Sequence, residues 1–100
     1  MIEAPEPEWR LQGFEDAALR WYDIDDPSPD LALLVTHWWF TRLDDPFAGA
    51  RRDPQRENAW YIQVPGSVVD GHAVLCSWVI SVSERTVTCD LIALLPLPIY

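Results

Sequence analysis

The chain contains no lysine. All seven basic residues are arginine, set against 16 acidic residues for a net charge of -9. This shortage of positive charge weighs against nucleic acid or an anionic membrane as the default partner, because surplus carboxylates repel phosphate. Cysteine is scarce too. Two in 100 residues do not make the disulfide framework of a small secreted domain. The longest near-apolar stretches run to about eight residues, well short of the roughly 20 that span a bilayer. Met1–Glu8 has no positive charge and no apolar run, which predicts no signal peptide and a cytoplasmic location. Phosphate-cradling glycine loops, GxGxxG and the nucleophile elbow are all missing.

What is present has globular proportions. Apolar types make up 49% and charged types 23%, enough for one domain with one core of two packed layers. Residues 1–8 alternate Glu and Pro and read as a mobile arm, since proline blocks helix and ladder donors alike. Residues 9–100 read as the single domain. The charge is lopsided. Residues 1–45 carry 11 acidic and 3 basic groups, whereas 46–100 carry 5 and 4.

Periodicity supplies the elements. Trp9–Phe14 alternates as a short strand, with Trp9 and Leu11 on one face. Residues 15–24 fit either a helix or a strand. The aromatic and Ile content tips them toward strand from Ala18 onward, in a hairpin with the first. Ser28-Pro29-Asp30 is a helix start: Ser as N-cap, Pro at the first helical position, Asp at the positive dipole end. That helix is expected to reach about Leu43, with Leu31, Leu34, Val35, Trp38 and Leu43 on its apolar stripe. Residues 47–59 read as a long surface loop, followed by a strand at Trp60–Val64. Residues 72–82 and 85–95 flank Ser83-Glu84 as a hairpin. With Val82 opposite Arg85, one face holds Val74, Cys76, Trp78, Ile80, Val82, Val87, Cys89, Leu91 and Ala93. The other, half-wet face holds Leu75, Ser77, Val79, Ser81, Thr86, Thr88, Asp90, Ile92 and Leu94. The fold class expected is α+β: a small antiparallel sheet of four or five strands, ending in a three-stranded meander, packed against one or two helices.

Candidate chemistry is thin. The hairpin register sets Cys76 and Cys89 diagonally on the core face, which predicts buried free thiols. A shift of turn would bring them opposite as a redox pair. Neither cysteine has a nearby second ligand, and His37 and His72 lack ligand spacing, so no metal and no cofactor are expected. Both Asp-Asp-Pro tripeptides flank the same helix, where turn formation and capping account for them. Arg51, Arg52 and Arg56 cluster in the loop, where they would either grip phosphate bidentately or be neutralised by Asp53 and Glu57.

From Leu43-Asp44-Asp45-Pro46, through the loop, to the strands ending Thr86–Ala93, the order of helix, loop and three-stranded meander resembles the RelE/ParE toxin superfamily. The resemblance covers roughly residues 28–95. It implies an RNA-directed ribonuclease gripping its substrate with Arg51, Arg52, Arg56 and Arg85, with Tyr100 as an acid–base or stacking group. Ribonucleases of that family resemble basic proteins. Here the chain is acidic, only Arg85 sits in the terminal hairpin, and Tyr100 lies beyond Pro96 and Pro98. RNA cleavage is therefore not the leading expectation.

That place goes to a small acidic protein-interaction module without catalytic activity. Its expected partner is a protein, either basic or a second copy forming a homodimer. The surface singled out comprises Tyr22 and Trp39 on the first half, with Leu75, Val79, Ile92 and Leu94 on the second sheet face. An acidic decoy for a basic partner, built on the first half, is a third possibility.

Overall fold

The helix start at Ser28 forms as its residue types favour. The Ser28 side chain accepts a hydrogen bond from the Leu31 amide at 3.2 Å, and Pro29 opens the helix. The computed structural model in which this is seen describes residues 8–99. Of the expected arm only Glu8 falls within that range, and Tyr100 falls outside it. Ser28→Ala is expected to cost about 1 kcal/mol of stability. Urea unfolding would register this as a lower midpoint with an unchanged slope.

In chain order the elements are β1 (Arg10–Gln12), α1 (Phe14–Asp25), α2 (Pro29–Trp39), a 3-10 turn (Phe40–Leu43), β2 (Arg51–Arg52), β3 (Ala59–Gln63), β4 (His72–Ser81) and β5 (Thr86–Pro96). The five strands form one sheet in the order β1-β5-β4-β3-β2. β2 to β5 are antiparallel neighbours, while β1 runs parallel to β5, so the sheet is mixed. Both helices pack on one face. Trp21 of α1 and Val35 of α2 join Val74, Cys76, Trp78 and Val87 of the sheet in a single core. The fold is α+β, and its C-terminal strands form the expected meander.

Four expectations need correction. Residues 15–24 are helix, not strand. The buried set Phe14, Ala17, Ala18 and Trp21 has helical spacing, and Glu15 and Asp16 sit at the positive end of the helix dipole. β1 accordingly does not pair with its sequence neighbour. It crosses to β5, where Arg10, Leu11 and Gln12 lie beside Thr86, Val87 and Thr88. The second long helix stops at Trp39 and tightens into the 3-10 turn. Trp39 was expected outward, yet it is only 7% exposed. It continues the row Leu31, Val35, Trp39 at four-residue spacing and packs against Phe14 with ring centroids 5.6 Å apart. The next residue, Phe40, is the exposed one, at 54%.

The hairpin follows its expected register only part of the way. Ile80 faces Val87 and Trp78 faces Cys89, but Ser77 then faces Leu91. Asp90 is therefore an extra residue, a β-bulge that shifts every later partner by one. A shift of one residue exchanges the two faces of a strand. Ile92, at 4% exposed, and Leu94 consequently join the core, while Leu91, at 44%, moves to the opposite face.

Candidate functional site

The face of the sheet away from the helices has no element covering it among the described residues. Alternation along β4 sets Leu75, Ser77 and Val79 there, and cross-strand pairing adds Tyr61 opposite Ser77. Beyond the bulge, β5 adds Leu91, Ala93 and Leu95. A groove of about 730 Å³ lies there, with an apolar floor of Tyr61, Leu75, Leu91 and Leu95. A loop from Asp53 to Arg56 and Pro96, Pro98 and Ile99 of the C-terminal segment border it. A second depression, about 370 Å³, lies beside the start of α1, with Glu15 and Asp16 in its wall. The larger, more apolar hollow is the better candidate.

One end of the groove is polar, and the bulge builds it. Asp90, on the open face, accepts a hydrogen bond from the buried Ser77 hydroxyl at 2.5 Å and another from Arg56 Nη1. Arg56 also donates through Nε to Asp53 at 3.0 Å, and the Gln55 amide donates to the same carboxylate at 2.9 Å. Its hydrogen bonds to Asp90 and Asp53 hold the Arg56 guanidinium above its ordinary pKa. The Gln55 amide, with Arg56 second, holds Asp53 below the usual carboxylate range. Ser77, Asp90, Arg56 and Asp53 thus form one chain of donors and acceptors that pins the loop to the sheet. Neither histidine adjoins this chain. His72 Nδ1 lies 2.9 Å from the Asp70 carbonyl, and His37 is exposed on α2. Among the described residues, no group of three or more His, Cys, Asp or Glu side chains is placed to hold a metal.

The residues singled out from the sequence do not converge. Arg56 is bound to two carboxylates, and Arg85 pairs with Glu8 at 2.6 Å while lying over the Trp9 ring. Arg51 and Arg52 are successive residues of β2 and face opposite sides of the sheet. Tyr22 and Trp39 belong to the helix layer. Leu75 and Val79 stand on the open face, with Val79 37% exposed. Ile92 and Leu94 are corrected to the core by the bulge. No protein-family model matches the chain, nor does any curated protein or solved structure. No described helix is long and apolar enough to cross a membrane.

Tyr61, Leu91, Leu95, Ser77 and Asp90 were not singled out from the sequence as site residues. Their signal was a single carboxylate interrupting the apolar run from Val87 to Leu95. Alternation from Cys89 already turns Asp90 outward; the bulge sets Leu91 and Leu95 on the same face.

A second buried feature faces the helices. Arg42, 5% exposed, lies under the loop that follows α2, with its guanidinium carbon 4.9 Å from the Trp38 ring centre and 5.7 Å from that of Trp78. It donates to the Ala48 carbonyl at 2.8 Å and to Thr41 Oγ1 at 3.0 Å. Burial lowers its pKa from the ordinary arginine value, and Asp45 works in the other direction. It packs beside both indoles, which also meet each other with ring centroids 6.0 Å apart.

Proposed function

We propose that this protein acts by contact with another protein surface rather than by chemistry, using the open face of its sheet. The observation that carries the reading is the apolar groove itself. Antiparallel sheets commonly leave one face to water, but that face is then polar; here Tyr61, Leu75, Leu91 and Leu95 line it. The charged groups at its polar end, Asp53, Arg56 and Asp90, are bonded to one another, which leaves the groove far less acidic than the chain as a whole. A low-charge apolar patch in a strongly acidic protein suits an apolar partner, and two copies can meet there with less repulsion than elsewhere.

Self-association is the form to test first. Light scattering across a concentration series is expected to give a mass rising toward that of a dimer. Leu91→Asp is expected to shift the midpoint at least tenfold to higher concentration, since it places a charge in the middle of the patch. Circular dichroism checks that the variant stays folded. A single-chain mass at every concentration, unaffected by Leu91→Asp, would remove self-association.

The RNA-directed alternative, and the RelE/ParE resemblance behind it, requires the arginines to meet one substrate. Arg56 and Arg85 are each engaged by carboxylates, which favours the first reading. Fluorescence anisotropy with single-stranded RNA at low salt, where electrostatic affinity is greatest, distinguishes the two.

A further inference from the structure

The bulge that shapes the groove also brings two thiols together behind it. Cys76 and Cys89 are free, buried at 0% and 4% exposure, and their Sγ atoms lie 3.8 Å apart on the core face. They are not directly opposite. Cys89 faces Trp78 and Cys76 faces Ile92, with the bulge residue between the two registers. A flat register leaves diagonal residues about 7–8 Å apart. Added twist at a bulge accords with the short sulfur separation. Each cysteine also precedes a member of the groove's polar end: Ser77 follows Cys76, and Asp90 follows Cys89. On the far face of the same backbone those two side chains hydrogen-bond to each other.

We infer that Cys76 and Cys89 are a modification site, a thiol pair that closes reversibly to an intramolecular disulfide behind the groove floor. The oxidant class is a small disulfide such as oxidised glutathione. Cys89, the slightly more exposed sulfur, loses its proton to solvent and attacks one sulfur of the oxidant, whose S–S bond breaks and releases one glutathione thiolate. Cys76 then loses its proton and attacks the Cys89 sulfur of the mixed disulfide, expelling the second thiolate. Both released thiolates take up protons. Two electrons pass from the protein to the oxidant, and one disulfide is exchanged for another. The sulfurs must approach from contact distance to about 2.05 Å, drawing β4 and β5 together at the bulge.

Burial sets the rate. Desolvation raises the Cys76 pKa well above the ordinary thiol value, so little thiolate forms in the closed hairpin and reaction waits on local opening. The experiment is therefore run in two arms. The full chain is incubated with oxidised glutathione, first in buffer and then in urea just below the unfolding midpoint, followed by dilution. Intact mass, thiol titration in denaturant and peptide mapping are read on both. The expected result is loss of two hydrogen masses, no titratable thiol, a Cys76–Cys89 cross-linked peptide, and full reversal by dithiothreitol. The urea arm is expected to proceed at least tenfold faster. On oxidation, the amide resonances of Ser77 and Asp90 are expected to shift more than those of α2. Two titratable thiols in both arms, a stable glutathione adduct, or cross-linking between chains would each overturn the inference. The Cys89→Ala variant should show no mass loss in either arm. No partner enters this measurement, so its outcome is independent of whether the groove binds protein.

Discussion

Arg42→Ala is expected to destabilise the fold by about 3 kcal/mol, among the largest effects of any single side chain outside the apolar core. Three losses coincide. The Ala48 carbonyl loses its donor. The space beside the Trp38 and Trp78 rings that the guanidinium fills is emptied, a cavity that neighbours fill only in part. The cation–π attraction, stronger away from water, goes as well. Arg42→Lys keeps the charge but not the flat, forked guanidinium that meets both rings and the carbonyl, so it is expected to recover little. Arg42→Met, which refills the gap without a charge to desolvate, is expected to be the mildest of the three. Urea unfolding followed by tryptophan fluorescence would rank them. An Arg42→Ala midpoint within error of the parent would show that the guanidinium contributes nothing.

Gly13→Ala is expected to cost a further about 2–4 kcal/mol, for two separable reasons. Gly13 has φ +77°, a left-handed conformation that a Cβ disfavours by about 1 kcal/mol or more. A Cβ there would also stand 2.6 Å from the Cys89 carbonyl oxygen, a backbone atom held in the sheet. Asparagine tolerates the left-handed region, so Gly13→Asn relieves only the first term and is expected to remain nearly as damaging. Gly71 serves as the control. Its φ is +74°, but a Cβ there meets nothing within 4 Å, so Gly71→Ala should show the conformational cost alone, about 1 kcal/mol. Thermal and urea unfolding of the three variants measure the difference. Equal losses at Gly13 and Gly71 would show that the close approach to Cys89 is unimportant.

Local signals and long-range ones fare differently here. The α2 start is legible because Ser28, Pro29 and Asp30 each act on the nearest backbone groups. The hairpin register near its turn, Ile80 to Val87 and Trp78 to Cys89, follows from pairing across a short connection. α1 misleads because Leu19, Tyr22 and Ile24 suggest a pleated surface, while its buried face is written in small residues, Ala17 and Ala18, whose apolar signal is weak. The parallel pairing of β1 with β5 joins residues more than seventy positions apart, and nothing local encodes it. The groove shares that fate. One unpaired residue, Asp90, decides whether Leu91 and Leu95 or Ile92 and Leu94 face outward, and alternation alone carries no sign of it.

Because β1 lies parallel to β5 and touches no other strand, its place in the sheet does not exist during synthesis until the residues from Thr86 onward have left the ribosome. Trp9 and α1, which packs against β5, wait with it. Most of the chain is therefore translated with its first apolar surfaces uncovered, the condition in which nascent segments stick to one another. Like charges keep neighbouring unfinished chains apart until the last strand arrives to receive the first.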